Sequence, residues 1–225
     1  MSSGWTLQRL RNGERARNDS SLKHHSFDIV DSTNEVAKRL LADGTITQPA
    51  YITAREQTAG KGSRGRTWLS PRDAGIYLSV VDFPSDDTPP DLTLFTLAAG
   101  VACAETLTQQ TGIDVRLKPI NDLYVDGRKL GGILTEAIHE NRRLRSVITG
   151  IGINVRNLAR PVPDRTVEPV ALQSLLSAYD LAHLDLAALA SALTESVLRW
   201  NVQIWSGLPD RVREAWHRHK LHPEG

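Results

Sequence analysis

Apolar positions fall along this chain in two periods, and the switches between them mark the elements. Between residues 50 and 155 the apolar runs are short: "AYITA" (50–54), "GIYLSVVDF" (75–83), "GGILTEAI" (131–138) and "SVITGIGINV" (146–155). Runs of this length, rich in Val, Ile and Tyr, predict strands. "LYVDGRKL" (123–130) sets Asp126-Gly127 between two such runs, the signal of a two-residue hairpin. Helical spacing occurs before, inside and after this block. "DSTNEVAKRLLADG" (31–44) has Ser32 and Glu35 at capping-box spacing and Gly44 as a stop. "PPDLTLFTLAAGVACAETLTQQTG" (89–112) predicts a long helix that follows prolines and ends near Gly112. After Pro169, Leu186, Leu189, Leu193, Val197 and Ile204 share one helical face, and Val212, Ala215 and Trp216 predict a last short helix. The fold class expected is α+β: a mixed, mainly antiparallel sheet flanked by helices. "PVPDRTVEPV" (161–170) reads as a surface loop.

The chain has 225 residues, room for one large domain or two small ones. Its formal net charge is +1, so no global field draws it to nucleic acid or a membrane, and any anion must be held locally. No apolar run near 18 residues is read, so no membrane span is expected. Residues 1–25 lack the apolar core of a secretion signal and mix Arg9, Arg11, Arg15, Arg17 and Lys23 with Glu14 and Asp19. They read as a solvated arm rather than a transit peptide. The single cysteine, Cys103, cannot form an internal disulfide, which fits a reducing compartment, and a cytoplasmic location is expected. Its apolar surroundings mark it as core rather than nucleophile.

Positive charge is concentrated in "EQTAGKGSRGRTW" (56–68), where Gly60, Gly62 and Gly65 alternate with Lys61, Arg64 and Arg66. Glycine lets backbone N–H groups approach a ligand closely, and neighbouring cations suit a phosphate. A Walker A loop is excluded, because Lys61 is followed by Gly62. "GKGSRG" matches G-x-G-x-x-G, but no βαβ unit with an acidic ribose partner is legible around it. "HENRR" is not H-E-x-x-H, and His217, His219 and His222 read as a solvated tail. The metal ligands, if any, are therefore unknown. No helix-turn-helix precedes the glycine loop.

Three more segments place polar residues in apolar or glycine-rich surroundings: "DSTN" (31–34), "KPIND…GRKLGGIL" (118–134) and "GIGINV" (150–155). Each alone also reads blandly, as a helix cap, a turn or a surface strand. In this order, however, "STN", "QTAGKGSRGRTW", "KPINDL", "KLGGIL" and "GIGIN" resemble the motifs of the biotin protein ligase family, over residues 26 to about 155. The resemblance implies a catalytic domain like that of class II aminoacyl-tRNA synthetases, over residues 26–220. It implies an ATP-dependent ligase that makes biotinyl-5′-AMP and transfers biotin to a lysine of a biotin carboxyl carrier protein, of acetyl-CoA carboxylase or a related carboxylase. Biotin, ATP and Mg²⁺ are the implied ligands.

By the same resemblance, Ser32, Thr33, Asn34, Gln57, Lys61, Gly62, Ser63, Lys129 and Gly132 contact biotin. Lys61, Arg64, Arg66, Trp68, Asn121 and Asn154 serve ATP, and Lys129, Arg64 and Asp122 serve the chemistry. Asp122 is expected to orient the carrier lysine or Mg²⁺. The residue types agree. A ureido ring suits short neutral hydrogen-bonding side chains. A carboxylate attacking a phosphate needs fixed positive charge, and a glycine loop can close over an acyl-adenylate and exclude water.

Three departures stand out. Ser63 occupies a position where the family usually has Arg. Either Arg64 covers the role, or the adenylate is held less tightly and escapes to nearby lysines. "KPIND" lacks the family's Trp and shifts its proline by one place. The family's small C-terminal β domain has no counterpart after residue 220. With no DNA-binding domain recognised either, the chain resembles the ligase-only group. Two other readings stay open: a lipoate or octanoate ligase or transferase on a related fold, and a non-catalytic biotin-binding regulator. A homodimer paired through a sheet edge is a further expectation.

Overall fold

The computed structural model describes residues 22–84, 91–158 and 167–221. Its elements in chain order are β1 (Lys23–Val30), α1 (Thr33–Ala42), β2 (Ala50–Gln57), β3 (Gly75–Asp82), α2 (Leu92–Thr111), β4 (Arg116–Lys118), β5 (Asp122–Val125), β6 (Arg128–Glu140), β7 (Arg143–Asn154), α3 (Ala178–His183), α4 (Leu186–Trp205) and α5 (Pro209–His219). The seven strands form one sheet in the order β1-β2-β3-β7-β6-β5-β4. β1 and β2 run parallel, joined across α1, and every other neighbouring pair is antiparallel. The expected α+β class, a mixed and mainly antiparallel sheet with helices, is the class observed.

Strand alternation divides the side chains between two layers. Ile76, Leu78 and Val80 of β3 and Ile151 and Ile153 of β7 enter the main core with α2 and with Leu189, Leu193 and Val197 of α4. On the opposite face Ile52, Val81 and Ile148 pack against Val36, Ala37 and Leu41 of α1. Burying side chains of this size stabilises by roughly 1.5–3 kcal/mol each, so both layers anchor the sheet between them. Cys103 lies fully buried in α2, and desolvation pushes its thiol up to about 12, which makes it a core residue and a poor nucleophile.

Several local signals act as read. Gly112 ends α2 in the left-handed region at φ 72°; its start is capped by Asp91, which the sequence reading passed over and which accepts from Thr93 N. Asp126 and Gly127, both at positive φ, turn β5 into β6. Others do not. Ser32 occupies the N-cap of α1, but its hydroxyl makes no capping hydrogen bond, so the capping box is not formed. β1 begins at Lys23, so residues 23–25 belong to the sheet and not to an arm; residues 1–21 lie outside the described residues. "KHHSFDIV" hid its strand character because it is an edge, mostly exposed, with no apolar run. A βαβ unit, β1-α1-β2, is therefore present, although the glycine loop follows its second strand rather than its first. By length and composition Leu92–Thr111 could cross a membrane, contrary to the expectation of no such run, but it is mostly buried as the central helix of the core.

Candidate active site

A cavity of about 210 Å³ opens between the start of α1, the end of β2, the 60–68 segment, and the middles of β6 and β7. One wall is neutral and polar. Ser32, Thr33 and Asn34 are all buried at the start of α1. Gln57 Oε1 accepts from Thr33 N at 2.8 Å and from the Thr33 hydroxyl at 3.2 Å, while Gln57 Nε2 donates to Ser70 Oγ at 2.7 Å. Ser79, a polar residue in the otherwise apolar β3, donates to Asn34 Oδ1 at 2.5 Å. Asn34 Nδ2 donates to Glu136 Oε2 at 2.7 Å. These bonds fix which way each amide faces before any ligand arrives. Ser32, whose hydroxyl makes no capping bond, also lines the cavity.

The floor is bare backbone. β6 and β7 place Gly132 opposite Gly152 and Leu134 opposite Gly150. A Cβ on Gly150 would sit 2.5 Å from Asn34 Oδ1, and one on Gly152 would sit 2.5 Å from the Trp68 indole. Both glycines of "GIGIN" are thus required by close approach, while Ile151 and Ile153 point into the main core. Trp68 lies on this floor with its Nε1–H buried and without a partner, a donor that a bound acceptor would satisfy.

The segment from Gly60 to Trp68 folds as a small flap. Trp68 N donates to Gly60 O at 2.9 Å, Gly62 N donates to Arg66 O at 2.7 Å, and a single turn of 3₁₀ helix at Ser63–Gly65 forms the tip. Lys61 Nζ reaches Glu35 Oε1 at 2.6 Å. Arg66 donates to Ser63 Oγ at 3.0 Å and to Ser63 O at 3.3 Å. Arg64 sits at the tip with φ 59° and does not line the cavity. The cation that lines the cavity beside Ser63 is Arg66, which Ser63 itself holds; Arg64, one of the two alternatives for that position, does not line it.

Opposite the flap, Lys129 Nζ lies 2.6 Å from Asp122 Oδ1 and 5.7 Å from the centre of the Trp68 ring. The approach to Asp122 is too oblique for a directed hydrogen bond, so the contact is an ion pair. Asp122 thus partners Lys129, and among the described residues no group of three His, Cys, Asp or Glu could hold a metal. Asn121 Nδ2 donates to Ile133 O, which ties the "KPIND" turn to β6. Asn154 shares the face of β7 with Gly150 and Gly152 but lies beyond the cavity lining. Its amide donates to the carbonyls of Lys129 and Val170, which fastens the end of the 161–170 stretch to β6.

Ser32, Thr33, Asn34, Gln57, Lys61, Gly62, Ser63, Arg66, Trp68, Asn121, Asp122, Lys129 and Gly132 all line this one cavity; Arg64 and Asn154 do not. Sequence reading missed Ser79, Glu35, Glu136 and Val167. Ser79 was detectable as a lone polar residue in an apolar strand. Val167 was not, because nothing local marks one apolar residue of "TVEPV" as a cavity neighbour. His217 and His219 sit on α5, with His219 3.8 Å from Glu105; His222 lies outside the described residues.

The sequence model of the biotin/lipoate A/B protein ligase family matches residues 26–154. The chain belongs to that family. Its relatives include the bifunctional ligase/repressor BirA of Bacillus spizizenii, 38% identical over 140 residues, which are 61% of this chain and 42% of that protein. A biotin--[acetyl-CoA-carboxylase] ligase of Paracoccus denitrificans is 30% identical over 191 residues, 83% of this chain and 76% of that one. The solved structure of a biotin protein ligase from Aquifex aeolicus in complex with biotin and ATP shares the fold with a TM-score of 0.70 at 25% identity, covering 88% of this chain and 78% of that one. The match thus spans about two fifths of the length of the BirA relative. The five motifs that carried the sequence resemblance meet around this cavity, and the residues singled out in them outside the flap line it, Asn154 excepted.

Proposed function

We propose that this chain activates biotin with ATP and passes it to a lysine of a biotin carboxyl carrier protein. The observation that carries this reading is the juxtaposition, in one cavity, of a pre-set neutral wall and a cationic rim. Ser32, Thr33, Asn34 and Gln57 offer the short donors and acceptors that a ureido ring needs. Leu134 and Ile133 supply apolar wall for an aliphatic tail, and Gly132 and Gly152 let it lie close to backbone. Lys61, Arg66 and Lys129 line the same cavity and supply the positive charge that a carboxylate approaching a phosphate needs. In the first step a carboxylate oxygen of biotin bonds to the α-phosphorus and pyrophosphate leaves. In the second, the carrier's lysine nitrogen bonds to the acyl carbon, AMP leaves, and the amine proton passes to solvent. Fixed cations lower both barriers by stabilising charge on the phosphate oxygens.

Mg²⁺ would arrive on the phosphates of ATP, since Asp122 is engaged with Lys129 and phosphate-bound Mg²⁺ keeps most of its own waters. A transferase working through a Cys–Lys pair would need an accessible thiol, and Cys103 is buried in α2. The test is biotin-dependent ATP–pyrophosphate exchange on the purified chain, with lipoate in parallel. Exchange with biotin alone is expected. Exchange with lipoate alone moves the reading to a lipoate ligase, and biotin binding without exchange makes the chain a binder.

A further inference from the structure

The flap crosses the cavity and is held at both sides, by two contacts of different kinds. On one side the Trp68 indole rests on Gly152, with Gly132 beside it. On the other, Lys61 Nζ is bound to Glu35 Oε1 at 2.6 Å. Lys61 also bridges Thr67 across the flap, so fixing Lys61 fixes both of its arms. Glu35 lies in the first turn of α1, next to Asn34, yet it takes no part in the capping its position predicts. Its Oε1 also accepts from Lys38 Nζ at 2.8 Å, and Lys38 in turn donates to Glu136 Oε1 at 2.7 Å. Glu136 uses its other oxygen to hold Asn34. Charges therefore alternate from the pocket wall to the flap: Glu136, Lys38, Glu35, Lys61. Lys38 first and Lys61 second keep the Glu35 carboxyl below the usual carboxylate range, so it is ionised wherever the protein is folded near neutrality.

We infer that Glu35 is a positioning residue: it holds Lys61, and with it the flap, across the cavity mouth in register with the pocket wall. Of the four groups, Glu35 alone touches both α1's lysine and the flap. An ion pair with one partner half exposed is a latch of modest strength, which an arriving carboxylate or phosphate can compete for. The flap can then shift toward the ligand while the indole contact stays in place. Only the kinetic part of this inference rests on the functional reading above.

The experiment is limited trypsin digestion of the ligand-free full chain, followed by mass spectrometry of cleavage at Lys61, Arg64 and Arg66, all of which lie in the flap. Glu35→Gln is expected to speed cleavage about three- to five-fold. Lys38→Met is the control, because it removes the same within-helix pair but leaves Lys61 with an undivided partner. It is expected to leave cleavage unchanged or slower. The exchanged pair Glu35→Lys with Lys61→Glu is expected to return cleavage at Arg64 and Arg66 to within twofold of the native rate. Wild-type cleavage in Glu35→Gln, or equal acceleration in Lys38→Met, overturns the latch, the second by showing that only helix stability changed. In biotin-dependent exchange, Glu35→Gln is expected to lower kcat three- to five-fold with KM for biotin within twofold, because Lys61 is less well placed while the pocket wall is intact. Faster cleavage with an unchanged kcat overturns the positioning role. Native protein that shows the cleavage pattern but neither binds nor activates biotin keeps the latch and refutes the functional reading instead.

Discussion

The pocket wall and the flap meet around one cavity but are built on opposite terms. The wall is mostly buried, neutral and cross-bonded: Thr33, Asn34, Gln57, Ser70 and Ser79 bond one another at 2.5–3.2 Å. The flap is cationic and largely exposed, and only a few bonds hold it to the rest. Neutral groups can be locked in advance because burying them costs little once each is hydrogen-bonded. Charges that must meet an anion cannot be buried beforehand without a partner, so they are carried on a movable segment or paired with a carboxylate. Lys129 and Lys61 follow the second course, with Asp122 and Glu35 as their partners. The difference separates recognition, on the rigid side, from charge stabilisation, on the side that moves.

The severest break in that division falls at Lys129, which belongs to the rigid side by position and to the cationic side by charge. Lys129→Met is expected to lower kcat of biotin adenylation by about 10²–10³-fold, the cost of removing one fixed group from a developing negative charge. Biotin affinity should change far less. Asp122→Asn sharpens the point. If Asp122 serves by holding Lys129, its loss of about tenfold in rate is the same at limiting and saturating Mg²⁺. A defect that appears only at limiting Mg²⁺ would return Asp122 to a metal role, and unchanged carrier biotinylation at limiting Mg²⁺ would dismiss that role altogether.

The floor offers a cut between the two regions. Gly152→Ala puts a methyl group into the Trp68 indole and lifts the flap from its seat, whereas Gly150→Ala strikes Asn34 and disturbs the wall. A displacement near 1 Å at a reacting centre costs about 10²-fold. Gly152→Ala should therefore lose about that much in kcat while retaining biotin binding by calorimetry, and Gly150→Ala should lose binding first. Identical profiles for the two variants would mean that wall and flap are one unit.

Much of this arrangement was legible before folding was considered. The strands, the Asp126-Gly127 hairpin and the buried stripe of Leu189, Leu193 and Val197 are local signals, and locality is what a sequence displays directly. The cavity's membership was legible only through the order of five motifs, since nothing in residues 31–34 alone says that they face Gly150, more than a hundred residues away. Illegible were the features set by tertiary pairing. β1 lacks an apolar run because it is an edge. Ser32 and Glu35 have capping-box spacing, but Glu35 turns to Lys38 and Lys61 and leaves the cap unmade. Asn154 carries an ATP role only by resemblance; its amide ties Lys129 to Val170, a pairing set by where the chain returns at Val170 and by nothing local.

The smallest expected effect lies at the flap's tip. Ser63 stands where the family usually has a cation, and two outcomes were expected: Arg64 covers the role, or the adenylate is held less tightly. Arg64 does not line the cavity, and Ser63 holds Arg66, whose guanidinium donates to both the Ser63 hydroxyl and the Ser63 carbonyl. Removing the hydroxyl by Ser63→Ala deletes one exposed hydrogen bond and keeps the other, worth at the low end of about 0.5–1.5 kcal/mol. The readout is the ratio of bystander to carrier labelling when ligase, carrier protein and an unrelated lysine-rich protein share one reaction. Ser63→Ala should raise that ratio about two- to three-fold, because a less well-aimed Arg66 lets more activated biotin escape. Ser63→Arg, by adding a second inward cation, should lower it. If neither substitution moves the ratio, retention of the adenylate does not depend on the tip, and the closed flap is maintained from its two anchored ends alone.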